Sequence, residues 1–404
     1  MIDLSPVKKY LCGKGVSFGP TVNSVVLAPV FSQLPDNLYR PGQFIAEGSL
    51  DFAFSQFFIN ETKYYKILLK EWFDLLRIGA NLVILYKPNA VLGADQLLST
   101  IEVLFDTSCK VVKDLRQYEG NILIVKKLNN SKRVDGEMGS WTFGIITGGG
   151  RPQLVKDFIK SVVRQKIPNC EVIVSGKWSE DLGSEVTILD QSEAAACGHI
   201  TRMKNAVCEF ARNENIMIVH DRVVLVDGWY EGMKLYGNTF EALTCVGVDE
   251  HGARAGDWIT LGGPRGTVYS VGSLDYADWD ENVYIMGAVT ILKKSIWKEV
   301  PWNEDIYWNQ GEDIALTFDL RDKGYIARLN PYASTRMSNW RHGLFPSHVK
   351  DIKRLGSKQG MYVRRAIWFL LRVTDSVQLV RKWREFIFNK FIEKSRFKSF
   401  VVKN

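Results

Sequence analysis

From residue 141 onward, short apolar runs alternate with segments of helical period, and this alternation constrains the fold more than any other feature of the chain. Residues 143–147 read as a strand that ends in Gly148-Gly149-Gly150-Arg151-Pro152, and Leu154, Phe158, Ile159, Val162 and Val163 mark the helix that follows. Residues 171–175 and 186–189 read as strands and 200–211 as a helix. Residues 216–219 read as a strand running into His220-Asp221-Arg222. Such repetition predicts a mostly parallel sheet with helices on both faces. Ligands of these sheets bind beyond the carboxyl ends of the strands. Residues 147–151, 175–177 and 220–222 are therefore expected to converge.

An earlier unit, residues 1–137, carries its own strand and helix signals. Apolar runs at 24–30, 52–58, 82–86 and 121–125 flank a helical stretch, 64–78, that reads as ending at Gly79. The polar, turn-rich stretch 129–136 reads as the linker to a second domain, 138–348. Beyond the strand ladder, 247–272 reads as a long loop and 284–292 as a strand interrupted by Gly287-Ala288. The last segment, 349–404, reads as a basic amphipathic helical tail. Its residues 350–404 hold 15 Lys/Arg against 4 Asp/Glu, a net +11, whereas the other 349 residues carry −4. Aromatic residues (Trp368, Phe369, Trp383, Phe386, Phe388, Phe391) interleave with these bases at helical spacing, which suits an anionic membrane surface better than nucleic acid. The alternative is a helix docked on the catalytic domain with a basic outer face. No apolar run approaches the roughly 20 residues of a membrane span, and none after Met1 reads as a signal peptide. Six scattered cysteines without metal-ligand spacing read as small buried hydrophobes in a reducing compartment.

Four motifs carry chemistry. In Trp308-Asn309-Gln310-Gly311-Glu312-Asp313 a glycine frees two carboxylates at the start of a helix, where the helix dipole favours their ionised forms. One such carboxylate can deprotonate a hydroxyl; the alternative is that both simply cap the helix. Asp221 offers an oxygen ligand to a hard cation, or begins a turn. Arg222 beside it either neutralises phosphate or points to solvent. Gly148-Gly149-Gly150-Arg151 permits close backbone approach before a helix N-terminus, but matches neither dinucleotide nor P-loop patterns. Arg202, Lys204 and Asn205 can bind a diphosphate, or form a solvated helix face. His342 lies 29 residues beyond Asp313 and can fold back as a second metal ligand or phosphate contact, or is simply a packed or surface histidine.

Taken in order, 143–151, Ser161-Val162-Val163-Arg164-Gln165, 171–175, Thr201-Arg202-Met203-Lys204-Asn205, 218–222, Gly287-Ala288 and Gly311-Glu312-Asp313 resemble family-2-type glycosyltransferases of the GT-A fold. The Trp-rich Gly-Glu-Asp segment with a later His also looks like the β-1,4-galactosyltransferase arrangement. The resemblance implies an α/β nucleotide-sugar-binding domain and inverting transfer from a nucleotide-diphosphate sugar to a glycan or lipid-linked glycan. It assigns the general base to Asp313 and sugar contacts to Glu312. It implies donor contacts at Thr147, Gly148, Arg151, Ser175, Arg202, Asn205, Asp221, Arg222, Gly287, Ala288 and Trp308. It also implies a Mn²⁺ or Mg²⁺ ion on Asp221 and His342. The family's Asp-x-Asp element reads His220-Asp221-Arg222 here, with one carboxylate instead of two.

The first unit resembles a truncated class I methyltransferase, a smaller Rossmann-like α/β domain, through Ser49-Leu50-Asp51-Phe52-Ala53-Phe54-Ser55, Leu69-Lys70-Glu71-Trp72 and residues 76–82. Its cofactor loop is represented only by Leu11-Cys12-Gly13-Lys14-Gly15-Val16, so no S-adenosylmethionine is expected. The expected location is cytoplasmic, peripheral on the inner face of a membrane. Two other readings stay open: an S-adenosylmethionine-dependent methyltransferase with a sugar-binding domain, and a non-catalytic scaffold of a glycan-assembly complex.

Overall fold

A computed structural model describes residues 5–19, 30–31, 33–117, 119–130, 136–261 and 272–338. The tail 349–404 and His342 lie outside the described residues. In the first unit, β1 (Gly15–Phe18), β2 (Val30–Phe31), β3 (Leu50–Gln56) and β4 (Leu76–Tyr86) form the parallel part of a six-stranded sheet. Between β3 and β4 lies α1 (Tyr65–Leu75). After β4 come α2 (Ala94–Phe105), β5 (Cys109–Leu115) and β6 (Asn121–Lys127), and β6 runs antiparallel to both β4 and β5. The sheet order is β2-β1-β3-β4-β6-β5. Helix α1 ends at Leu75, earlier than the sequence pattern indicates. Gly79, at φ +86°, is not a helix cap but the left-handed point of a bulge, where β3 skips from pairing with Leu76 to pairing with Asn81. Gly13 precedes β1 and Gly15 is its first residue, both at the amino end of the strand, whereas ligand loops follow carboxyl ends.

The second unit follows the alternation. It comprises β7 (Ser140–Thr147), α3 (Pro152–Arg164), β8 (Asn169–Gly176), β9 (Val186–Asp190), α4 (Ser192–Cys197), α5 (Ile200–Phe210) and β10 (Asn215–His220). Then come β11 (Val223–Leu225), α6 (Trp229–Tyr236) and β12 (Ala242–Asp249), with β13 (Trp258–Thr260), β14 (Gly272–Ser273) and β15 (Val283–Ile285) forming a small antiparallel sheet. The chain closes with β16 (Val289–Lys293), α7 (Lys294–Glu299), α8 (Glu312–Asp322) and β17 (Ala327–Met337). The large sheet has the order β11-β17-β12-β16-β10-β7-β8-β9. Strands β7 to β10 are mutually parallel, β12 and β17 share their direction, and β16 and β11 run against them. The architecture is thus α/β with a mostly parallel central sheet. The run 284–292 is not one strand: Gly287-Ala288 separates β15 from β16, which belong to different sheets.

The two units share one apolar core, in which Phe18, Leu68 and Trp72 belong to the same cluster as Ile200, Leu316 and Leu329. Across the junction, Arg328 Nη1 donates to Glu71 Oε1 (2.6 Å) and its Nε to the Asn37 carbonyl (3.1 Å), while Arg40 sits 3.7 Å from the same Glu71 oxygen. Tyr64 donates to Asp278 (2.7 Å) and Lys66 pairs with Glu281 (2.8 Å). Among the described residues, no helix is long and apolar enough to cross a membrane. Of the six cysteines only Cys208 and Cys245 are buried; Cys12, Cys170 and Cys197 are exposed, contrary to a uniformly buried set.

Candidate active site

The carboxyl ends of β7 and β10 are adjacent because the strands pair in register to His220↔Ile146. There Thr147 Oγ1 donates to Asp221 Oδ2 (3.1 Å) and accepts from the Gly149 N–H (3.0 Å). Arg151, at the N-cap of α3, donates from Nη1 to Asp221 Oδ1 (3.0 Å). Three predicted residues, Thr147, Arg151 and Asp221, therefore meet. Gly148 lies in the loop that joins them. Arg222 follows Asp221 and its carbonyl accepts from the Ser338 N–H (2.9 Å).

Other predicted donor contacts have structural partners. Ser175, at the end of β8, is fully buried and donates to the Met203 carbonyl (3.0 Å), tying α5 to the sheet. Asn205 uses both ends of its amide on the segment before α8. Its Nδ2 donates to the Trp302 carbonyl (2.9 Å) and Glu304 (3.0 Å), and its Oδ1 accepts from Trp297 Nε1 (2.9 Å) and the Trp302 N–H (3.0 Å). Arg202 is exposed on α5. Trp308 is half-exposed (50%), its N–H bonded to the Gly198 carbonyl.

Facing the strand ends, Gly311 adopts a left-handed conformation (φ +79°) and opens α8 with Glu312 and Asp313 in its first turn. That helix is buried on more than one side: Leu316 and Leu320 join the main core, and Phe318 joins a separate cluster with Ile259, Leu261 and Tyr284. The two carboxylates differ sharply. Glu312 is buried and its Oε1 lies 3.2 Å from Nζ of Lys204, which has no exposed surface and also donates to the Gly287 carbonyl (2.9 Å). Asp313 accepts only N–H groups among the described contacts: Gly287 N–H on Oδ2 (2.9 Å) and Ile314 N–H on Oδ1 (2.8 Å). The residue keeps some accessible surface, but protein atoms crowd its carboxyl. Burial first, then the charge of Glu312, raise its pKa from the ordinary 3.8 to about 6, against the two N–H groups and Lys204. The helix dipole alone does not keep Asp313 at the ordinary carboxylate value, because desolvation outweighs it.

Gly287-Ala288 joins the two halves. The N–H and carbonyl of Gly287 hold Asp313 and Lys204, and the Ala288 carbonyl accepts from the His220 N–H (3.2 Å), next to Asp221. A Cβ at Gly287 would sit 2.4 Å from Glu312 Oε1 and 3.2 Å from the Asp313 side chain, so any other residue there must displace the acids. His220 is held neutral, its pKa pushed well below the ordinary value by burial and then by Lys204, Arg222 and Arg151; its Nε2 is buried and has no hydrogen-bond partner among the described residues.

Two features escape sequence reasoning in part. Lys204 continues the buried stripe Ile200, Met203, Val207 and Cys208 of α5, and a lysine on an apolar face was the available signal that it has a buried partner. His220 gives no such signal. A cleft of about 230 Å³ between the two units, lined by Tyr65, Gln96, Trp279, Glu281, Arg321 and Tyr325, reaches α8 at Thr317 and Arg321 but contains none of the strand-end residues.

The donor set suits a cation poorly. A hard cation needs several oxygen ligands. Asp221 is the carboxylate that meets Thr147 and Arg151 beyond β7 and β10; both its oxygens have hydrogen-bond donors, and Arg151 is one of them. Among the described residues, no group of three His, Cys, Asp or Glu side chains is placed to hold a metal ion.

No protein-family model and no curated protein sequence matches the chain. Among solved structures, the chain is similar to a crystal structure of GalNAc-T7 with UDP, GalNAc and Mn²⁺, at 10% identity and a TM-score of 0.38, covering 55% of this chain and 49% of that one. It is also similar to residues 1–349 of S. aureus TarS, at 12% identity and a TM-score of 0.33, covering 50% and 58%. The chain thus spans about half the length of each.

Proposed function

We propose that the second unit is an inverting glycosyltransferase of GT-A type, using a nucleotide-diphosphate sugar and a hydroxyl acceptor. The observation that carries this reading is Asp313: a buried carboxyl with no cation bonded to it among the described residues, oriented by two backbone N–H groups, with a pKa of about 6. That value suits a general base at neutral pH, since the group is ionised yet retains proton affinity. In the reaction, Asp313 takes the acceptor proton as the acceptor oxygen bonds to the anomeric carbon. The bond from that carbon to the diphosphate oxygen breaks, and its electron pair leaves with the diphosphate. Arg151, fixed by Asp221, supports the departing charge. Lys204 neutralises Glu312, so that Asp313 is the acid left to act.

Asp313→Asn is expected to lower transfer by about 10²- to 10⁴-fold while leaving donor affinity nearly unchanged. Normal turnover in that variant would remove the assignment. The acceptor is proposed to be a glycan or lipid-linked glycan. Removal of residues 349–404 is then expected to release the protein from liposomes containing anionic lipid, and undiminished binding would contradict a membrane role for the tail.

A further inference from the structure

The GT-A reading carries with it a divalent ion on the donor diphosphate, and the strand-end residues do not fit one. Asp221 is 15% exposed, and both its oxygens accept hydrogen bonds, from Thr147 Oγ1 and Arg151 Nη1. A cation bound there would have to displace the guanidinium or sit against it. Arg151 itself is 48% exposed, with one N–H directed at Asp221, and it follows the Gly148-Gly149-Gly150 loop at the N-cap of α3. A planar guanidinium held by a carboxylate at a helix N-terminus is suited to phosphate oxygens. Arg222 adds positive charge around the same strand end.

Resting on the glycosyltransferase reading, we propose that this chain binds the diphosphate of its donor without a metal ion. Arg151 is the phosphate-binding residue, and Asp221 is a positioning residue that aims the guanidinium rather than a metal ligand. The site therefore takes a nucleoside diphosphate directly, through charge-assisted hydrogen bonds.

The test is calorimetric titration of the full chain with a panel of nucleoside diphosphates, in excess EDTA and again with Mn²⁺, beside a titration with Mn²⁺ alone. The expected result is that at least one nucleoside diphosphate binds in EDTA with an affinity that Mn²⁺ changes less than about twofold. Arg151→Ala is expected to weaken this binding by about 10- to 100-fold, the range for losing hydrogen bonds to a charged group. Arg151→Lys, which keeps the charge but not the fork, is expected to restore part of it. Asp221→Asn keeps an oxygen for Arg151 and is expected to bind better than Asp221→Ala, in EDTA and in Mn²⁺ alike. Binding that requires Mn²⁺, or a stoichiometric Mn²⁺ site abolished by Asp221→Asn or His342→Ala, would overturn the proposal. So would the absence of nucleoside diphosphate binding under both conditions. Failure here is distinct from failure of the glycosyltransferase reading. Transfer that depends on Mn²⁺ sinks only the metal-free site, whereas metal-free binding with no transfer to any acceptor sinks only the enzyme assignment.

Discussion

Asp313 holds its charge where burial and the neighbouring Glu312 both oppose it, and this fixes the pH behaviour of activity and of stability with opposite signs. A base with a pKa of about 6 is protonated in acid, so transfer should rise with pH through about 6 and level off above 7. Stability runs the other way. Below about pH 4 the group is protonated both folded and unfolded, and it imposes no penalty. Between 4 and 6 the unfolded chain releases the proton and the folded chain keeps it, so stability falls as pH rises. The loss corresponds to a shift of about two pH units, on the order of 3 kcal/mol, and is complete above about pH 6. Asp313→Asn should flatten this component in urea titrations performed at pH 4 and pH 7. An unchanged difference between the two pH values would mean that the carboxyl is not desolvated as described. Beside it, Gly287→Ala would place a Cβ 2.4 Å from Glu312 Oε1 and 3.2 Å from the Asp313 side chain. About 1–3 kcal/mol of stability should be lost through overpacking, together with activity, because the displaced acids include the base. Thermal unfolding and turnover measured on the same sample would check both.

At the scale of elements, α5 and α8 are locked by one buried ion pair, Lys204–Glu312, reinforced by the Gly287 carbonyl. Removing one partner leaves a buried charge uncompensated. Lys204→Met and Glu312→Gln should each destabilise by about 3–5 kcal/mol, and the double variant should recover part of that loss. A double-mutant cycle in urea with no coupling between the positions would refute the lock. The same elements show why sequence reading succeeds in some places and not in others. The alternation from 141 onward places β7, β8, α5 and β10 closely, because each buries an apolar run or stripe that its own residues display; β9 is placed as well, although of its residues only Leu189 is buried. Strand β17 stays hidden: Arg328, Asn330 and Thr335 are buried in it through polar partners that lie far away in sequence, such as Glu71 for Arg328. Residues Thr147, Arg151 and Asp221 are legible as a group because strand ends in a parallel sheet must cluster. Ser175 and Asn205 look equally available in the sequence, yet their hydrogen bonds go to Met203 and to 297–304, and no local pattern encodes those partners. The contrast between Glu312 and Asp313 is likewise invisible until Lys204 is placed.

Over the whole molecule, the polar stretch near 129–136 suggests a division that the core does not respect. Apolar residues of both units belong to one cluster, and the junction buries Arg40, Glu71 and Arg328 together. Burial, and after it the nearby Arg40, hold Arg328 below the ordinary guanidinium range, so the site strains to keep two positive charges on one carboxylate. Glu71 is the only acid recorded in contact with them among the described residues. Glu71→Gln would leave two buried guanidiniums facing a neutral amide, with an expected cost of about 3–5 kcal/mol. Because the core is continuous, that loss should be felt on both sides of the junction. Hydrogen exchange followed by mass spectrometry should show amides of β3 and β4 and amides of β7 and β10 losing protection together in the variant. If only the first unit loses protection while β7 and β10 stay as in the parent chain, the units are separately stable, and the first is an attachment rather than part of the framework behind α8.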